Sequence, residues 1–213
     1  MKILKPKQII VALDFDSLEE VNSIVKLLDS EIYRLKIGKQ LYAAEGPKIL
    51  EILNKKGFEI FLDLKLHDIP NTVYKALKNL LNYEVWMTNI HLLGGSEMIK
   101  AAREAKEHTK SSTLLIGVSV LTSLSEKNIK DMGFKTEISE LVKILSTSAS
   151  LNKIDGVVCS VKEVPEIKKN LGEEFITVTP GIRIQQKNDD QLRVATLEEA
   201  IKNGSDYIVL GRE

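Results

Sequence analysis

Charged residues interrupt an apolar segment in the first third of the chain. Residues 60–66 read Ile-Phe-Leu-Asp-Leu-Lys-Leu, and Asp68 follows just before a Pro-Asn-Thr turn. In an extended strand alternate side chains share a face, so Asp63 and Lys65 lie beside Phe61, opposite the aliphatic residues. Removing such charges from water is costly, so they either pair with each other or act on a bound substrate. The spacing therefore indicates a structural ion pair or a charged catalytic site at a strand end.

Length and composition limit the kinds of protein that fit. The 213 residues, 43% of them hydrophobic, are enough for one core, so a single domain over 1–213 is expected. Thirty basic and thirty acidic residues cancel, which argues against a nucleic-acid or anionic membrane partner. We find neither a signal peptide nor an apolar run of about 18 residues. The single cysteine, Cys159, cannot form an intrachain disulfide, which favours a cytoplasmic location.

Short β-branched runs alternate with longer amphipathic segments along the whole chain. The predicted strands are 8–13, 32–37, 59–64, 85–92, 114–118, 156–159, 175–178 and 207–210. The predicted helices between them include 17–28, 47–56, 71–82, 96–106, 136–150, 161–171 and 196–203. Eight strands separated by helices indicate an α/β fold, a parallel (β/α)₈ TIM barrel, with an open doubly wound sheet as the alternative.

Polar residues recur where these predicted strands end. They are Asp14, Lys36, Asp63 and Lys65, Asn89 and His91, Ser119 and Thr122, Ser160, Gly181 and Arg183, and Gly211 and Arg212. In a (β/α)₈ barrel this face holds the active site, often with a phosphate bound by the loops after the last two strands. There, glycine lets the backbone approach an anion and arginine supplies a planar fork of donors. We therefore expect a shared site.

Two motifs of this chain are specific enough to indicate a family: the ten-residue block at 63–72, Asp-Leu-Lys-Leu-His-Asp-Ile-Pro-Asn-Thr, and Thr-Pro-Gly-Ile-Arg at 179–183. Shorter motifs lie at 12–14, 36–38, 89–91, 94–95, 121–123 and 211–212. In these motifs the chain resembles the orotidine 5′-monophosphate decarboxylase family over essentially its whole length. The resemblance implies loss of carbon dioxide from orotidine monophosphate to give uridine monophosphate in pyrimidine synthesis. It also implies no cofactor and no metal.

The resemblance assigns roles to individual residues. It implies a homodimer with shared sites, and a charge network of Lys36, Asp63, Lys65 and Asp68 in which Asp68 comes from the partner. Asp14 matches the residue that binds the ribose, and Ser119 and Thr122 fall near the pyrimidine and its loop. The matches to the phosphate-binding group are Arg183, Gln191, Gly211 and Arg212. The remaining predicted substrate contacts are Ile69, Thr72 and Pro180.

These assignments are chemically consistent with that reaction. Departure of carbon dioxide leaves an electron pair at C6 in the plane of the pyrimidine ring, where the π-system cannot delocalise it. A preorganised ammonium stabilises this charge, and Lys65 could then donate the proton to C6. Asp63 beside the substrate carboxylate adds a repulsion that is relieved as the carboxylate departs. Lys36 and Asp68 would hold Lys65 charged and in place.

One departure and two alternatives accompany this hypothesis. The chain ends at Glu213, directly after Gly-Arg, whereas the family continues into a closing helix, so a barrel without its C-terminal closing helix is expected. One alternative is a magnesium-dependent sugar-phosphate decarboxylase or synthase of the same superfamily. The other is a non-catalytic nucleotide-binding barrel. His67 and the Ile-Pro-Asn-Thr continuation at 69–72 argue against the magnesium-dependent alternative, and the complete set of Lys36, Asp63, Lys65 and Asp68 argues against the non-catalytic one. The three histidines, His67, His91 and His108, also lack the spacing of a metal-ligand cluster.

Overall fold

A computed structural model describes residues 4–183 and 193–211, and within them eight parallel strands close into a barrel. The barrel strands are β1 (Ile9–Ala12), β2 (Tyr33–Gly38), β3 (Ile60–Leu66), β4 (Met87–His91), β5 (Leu114–Val118), β6 (Gly156–Val158), β7 (Ile176–Thr179) and β10 (Tyr207–Leu210). A short separate pair is formed by β8 (Ile182–Arg183) and β9 (Ala195–Thr196). Pairing of Ile9 with Ile208 joins β1 to β10 and closes the barrel. The (β/α)₈ prediction is confirmed, and the open sheet is wrong.

Helices surround the barrel between successive strands. They are α1 (Leu18–Val25), α2 (Lys39–Glu45), α3 (Lys48–Asn54), α4 (Pro70–Leu80), α5 (Gly95–Thr109), α6 (Glu126–Asp131), α7 (Ile138–Leu151), α8 (Val164–Leu171) and α9 (Leu197–Asn203). Single 3₁₀ turns at Leu92–Gly94 and Val161–Glu163 follow β4 and β6. Among the described residues, no helix combines the length and the apolarity needed to cross a membrane.

Helix boundaries follow local capping chemistry. Ser17 accepts a hydrogen bond from the Glu20 backbone and begins α1, as expected for a hydroxyl before an acidic first turn. Thr196 and Glu199 form a reciprocal capping box on α9, which ends at Gly204 with φ of +84°. The helices α2 and α6 were missing from the sequence prediction. Each spans less than two full turns, which is too short for a clear apolar periodicity.

The core has an inner and an outer layer because strand side chains alternate. Inside the barrel, Phe61 packs with side chains from other strands, among them Ile10, Met87 and Val178. Outside it, Ile60 and Leu62 belong to a cluster beneath the helices. The predicted alternation along β3 is therefore confirmed. Apolar residues fill the barrel interior and cover its outside, which leaves the strand ends for polar groups.

The strand β3 is irregular where its charged residues lie. Its pairing with β4 shifts between Leu62, opposite Thr88, and Leu66, opposite Ile90, so β3 contains extra residues there. Within this bulge Lys65 adopts φ of +49°, a left-handed conformation that is uncommon for a long side chain. Bulges redirect side chains and often lie near functional sites. The irregular backbone thus coincides with the charged residues at the carboxyl end of β3.

Candidate active site

The carboxyl ends of the strands surround a cavity of about 300 Å³. Valine side chains from four strands, including Val158 and Val178, contribute an apolar part of its lining. The predicted polar or loop residues that also line it are Asp14, Lys36, Asp63, Lys65, Thr122, Pro180, Arg183 and Gly211. The cavity therefore combines an apolar interior with charged groups that converge from several strands, which is the usual composition of a small-molecule site.

The carboxylate of Asp63 lies at the centre of the charged groups. Its Oδ1 accepts hydrogen bonds from Lys65 Nζ at 2.7 Å and from Asn89 Nδ2 at 2.7 Å. Its Oδ2 is 3.4 Å from Lys36 Nζ. The Asp63 side chain is only 10% exposed, so both ammonium groups approach a largely desolvated carboxylate. This arrangement links β2, β3 and β4 through one buried anion.

The protonation of Asp63 follows from these neighbours. Burial raises the pKa of the Asp63 carboxyl, but the charges of Lys36 and Lys65 and the hydrogen bonds of the carboxylate outweigh burial. The pKa consequently lies below its ordinary value of 3.8. At neutral pH the site therefore contains a buried carboxylate anion between two lysines.

The two lysines differ in their surroundings. Lys36 also donates to Asp14 Oδ1 at 3.1 Å, and its side chain is 11% exposed. The Lys65 side chain is 30% exposed and lines the cavity. Its backbone N–H donates to Asn89 Oδ1 at 2.7 Å, which supports the unusual backbone of the β3 bulge. Asn89 thus orients Lys65 and Asp63 together. Lys36 thus contacts two carboxylates, whereas Lys65 contacts one and has the more exposed side chain of the two.

Loops with backbone features suited to an anion follow β7 and β10. The strand order places β7 four strands from β3 in either direction. After β7, Gly181 adopts φ of +74° and is followed by Arg183. After β10, Gly211 approaches so closely that an added Cβ would lie 2.9 Å from Ala12 Cβ. A side chain at position 211 would thus displace β1, and glycine allows the backbone to line the cavity.

Comparison with known proteins identifies the family. A sequence profile described as "Orotidine 5'-phosphate decarboxylase / HUMPS family" matches residues 7–213. The chain belongs to this family. An orotidine 5′-phosphate decarboxylase of Saccharophagus degradans is 50% identical over 206 residues, covering 96% of this chain and 87% of the relative. Another from Carboxydothermus hydrogenoformans is 46% identical over 211 residues, covering 97% and 88%.

A solved structure agrees with this assignment. The crystal structure of an orotidine 5′-phosphate decarboxylase from Lactobacillus acidophilus is similar to this chain with a TM-score of 0.86 and 37% identity. The match covers 97% of this chain and 90% of that structure. The resemblance read from the sequence motifs is therefore confirmed at the level of family and fold.

Some residues predicted from the orotidine 5′-phosphate decarboxylase resemblance do not line the cavity of this single chain. Asp68, Ile69 and Thr72 are exposed beyond β3, where Asp68 Oδ1 accepts from the Ile69 N–H at 2.6 Å. Ser119 is buried, and its hydroxyl donates to the Val158 carbonyl at 2.7 Å, joining β5 to β6. Gln191 and Arg212 lie outside the described residues.

Other residues of the site had no predicted role: Asn89 was predicted only as a strand-end polar residue, and Lys39 and Gln40 were not predicted. Asn89 holds both Asp63 and Lys65 in place, and Lys39 and Gln40 line the cavity next to β2. Asn89 had a signal, because it is a polar residue at the end of an apolar strand. Lys39 and Gln40 had none, because they begin the short helix α2 that the sequence pattern did not reveal.

A second cavity shows that volume alone does not identify the site in this decarboxylase-family barrel. This cavity of about 420 Å³ lies outside the strands, between α6, α7 and α8. It lacks the convergent strand-end charges.

The described residues contain no group of three or more His, Cys, Asp or Glu side chains positioned to hold a metal ion. The carboxyl-end cavity therefore remains the best candidate active site.

Proposed function

We propose that this chain decarboxylates orotidine 5′-monophosphate to uridine 5′-monophosphate and carbon dioxide, a step of pyrimidine nucleotide synthesis, without a metal or cofactor. The observation that carries the proposal is the buried Asp63 carboxylate between two ammonium groups at the cavity. The relatives named as orotidine 5′-phosphate decarboxylases support the choice of substrate.

In the proposed mechanism Lys65 is the catalytic acid. Its partly exposed side chain lines the cavity, where C6 of the pyrimidine would lie. As carbon dioxide departs, the electron pair left at C6 is stabilised by this fixed positive charge. Lys65 then transfers a proton to C6, which completes uridine monophosphate. Because Asp63 and Asn89 already orient Lys65, little reorganisation is needed during the reaction.

The neighbouring groups have supporting roles in this proposal. Asp63 lies where it would face the substrate carboxylate, and their repulsion falls as carbon dioxide departs. Lys36 bridges Asp63 to Asp14, so the residue proposed to bind the ribose is fixed by the same charge network. After β7 and β10, Pro180, Arg183 and Gly211 are proposed to bind the phosphate together with Gln191 and Arg212. Thr122 is proposed to contact the pyrimidine.

We also propose that the active form is a homodimer with shared sites. Asp68, Ile69 and Thr72 are exposed at the carboxyl end, and Ile69 is 66% exposed. A partner that covered Ile69 would remove this apolar surface from water and would receive Asp68 and Thr72 in its own site. The compartment expected for such an enzyme is the cytoplasm, and no nucleic-acid partner is proposed.

The proposal is tested by following the ultraviolet absorbance of orotidine monophosphate with purified protein, with and without a chelator. We expect complete conversion to uridine monophosphate in both conditions. A Lys65→Ala protein prepared in parallel controls for contaminating enzyme. Absence of turnover by the parent would overturn the function. Turnover of a sugar phosphate that requires added magnesium would instead support the alternative within the same superfamily.

A further inference from the structure

The side chain and backbone of Arg193 connect three loops at the carboxyl end of the barrel. Its Nη2 donates to the Val120 carbonyl at 2.6 Å, and its backbone N–H donates to the Thr122 carbonyl at 3.1 Å. Its Nη1 pairs with the carboxylate of Glu163, which follows β6. Both carbonyls belong to residues 120–123, the segment after β5 that lines the candidate active site. Arg193 itself precedes β9.

The partner carboxylate is fixed independently of Arg193. Glu163 Oε2 accepts from the Ser160 backbone N–H at 2.7 Å in a capping box that begins the 3₁₀ turn Val161–Glu163. The Arg193 and Glu163 side chains are 17% and 12% exposed. Burial raises the pKa of the Glu163 carboxyl, and the Arg193 charge opposes this change. A buried carboxylate anchored on one side thus orients the guanidinium that holds Val120.

We propose that Arg193 is a positioning residue for decarboxylation, which fixes residues 120–123 against the bound nucleotide. Arg193 acts through the backbone of Val120 and Thr122 and does not itself contact the substrate. The reason is that its guanidinium donates to the Val120 carbonyl of this wall, while Glu163 supplies a fixed point behind it. The backbone bond to Thr122 keeps residue 193 beside the same segment. Misplacement of a site wall by about 1 Å can lower a rate by roughly 10²-fold. The inference rests on the proposed function.

Arg193→Ala, Arg193→Lys and Glu163→Gln test this role. Arg103→Ala is the matched control, because Arg103 also pairs with one glutamate, Glu107, and donates to one carbonyl, that of Lys153, far from the site on α5. We expect kcat/KM to fall by roughly 10- to 100-fold in Arg193→Ala, since substrate positioning is lost. The decrease in kcat/KM should be smaller in Arg193→Lys and in Glu163→Gln. Arg103→Ala should retain the parent's kcat/KM.

Two further measurements separate positioning from general stability. Because the 420 Å³ cavity borders Arg193, added guanidinium ions can reach the vacated space and should restore part of the activity of Arg193→Ala. In a double-mutant cycle, Thr122→Val should cost less in Arg193→Ala than in the parent, because the segment is already displaced. Fully additive losses, or equal losses in Arg103→Ala, would overturn the proposal.

Hydrogen exchange of backbone amides tests the positioning role of Arg193 separately from the proposed function. Amides within 118–124 should exchange faster in Arg193→Ala than in the parent, and those in Arg103→Ala should not. If the parent does not decarboxylate orotidine monophosphate, the function fails while this measurement still reports on the segment. If the parent is active but exchange and kcat/KM are unchanged in Arg193→Ala, the positioning role is wrong.

Discussion

The two ends of the barrel each contain a lysine–aspartate pair, but the groups around the pairs differ. At the amino end, Asp206 Oδ2 accepts from the Thr177 backbone at 2.7 Å and from its hydroxyl at 2.9 Å, and lies 2.7 Å from Lys168 Nζ. The same ammonium donates to the carbonyls of Glu173 and Phe175 at 2.6 and 3.0 Å. Lys168 is thus surrounded by three acceptors, and its side chain is only 7% exposed.

At the carboxyl end the corresponding lysine is more exposed and has fewer protein acceptors. Lys65 donates to Asp63, but its side chain is 30% exposed and borders the cavity. An ammonium has three donors, so Lys65 retains capacity for a ligand where Lys168 has used its own on protein. Residue type alone therefore does not distinguish a structural ion pair from a catalytic one. The two differ in how many protein acceptors the ammonium has and in whether a cavity lies beside it.

The largest effect is expected for Lys65→Ala, because it removes the accessible ammonium. We expect kcat/KM to fall by more than about 10³-fold, since both electrostatic stabilisation and the proton donor are lost. The variant should still fold and bind uridine monophosphate, because Lys36 and Asn89 continue to contact the buried Asp63 carboxylate. Ultraviolet kinetics and urea unfolding measure these quantities. A variant within about tenfold of the parent would remove Lys65 from the mechanism.

The next effect tests whether the carboxyl-end site is completed by a second chain. Lys65→Ala and Asp68→Ala proteins are mixed at equal concentration under conditions where subunits exchange. Half of the dimers should be mixed, and one of the two sites in each should be intact, so about a quarter of parental activity should return. A mixture of Lys65→Ala with Asp63→Asn is the control, because both lesions then act within their own chain and each site remains defective.

Subunit exchange in that experiment is verified with differently tagged chains. Given demonstrated exchange, no recovery in the Asp68 mixture would show that Asp68 serves its own subunit. Each active site at the carboxyl end would then be complete within one chain.

Lys168→Met should have a smaller effect of a different kind. It retains most of the aliphatic stem but leaves Asp206 and two carbonyls without the buried ammonium. We expect the free energy of unfolding to fall by about 2 kcal/mol, within the range for hydrogen bonds to charged groups. The kcat of the folded variant should stay close to that of the parent. A large loss of kcat with unchanged unfolding would contradict the assignment of the amino end to structure.

The smallest effect is expected from acidification of the Asp63 network. Because the folded-state pKa of Asp63 lies below 3.8, its ionised form contributes stability above that pH. This contribution is lost as the pH falls through the lower folded-state value. The stability of the parent relative to Asp63→Asn should therefore decrease from about pH 5 towards pH 2, as measured by urea unfolding. A constant difference over this range would argue against the lowered pKa.

Local sequence patterns predicted most of the strands and helices. Each of the eight predicted strands overlaps a barrel strand, because short β-branched runs must be buried on both faces in a parallel barrel. Phe61 and Leu62 face opposite sides of β3, as the alternation required. The helices α2 and α6 escaped detection because they carry little periodicity. The roles of the site residues stay predictions.

What the sequence determined by itself is the alternation of elements and the clustering of polar residues at strand ends. Both depend on neighbours within a few positions. Only the tertiary structure decided which polar groups meet. Asn89 contacts Asp63 across 26 positions, and Arg193 contacts Val120 across 73. The left-handed backbone of Lys65 also depends on the bulge against β4. Such contacts arise from barrel closure, which brings distant strand ends together, so no local pattern encodes them.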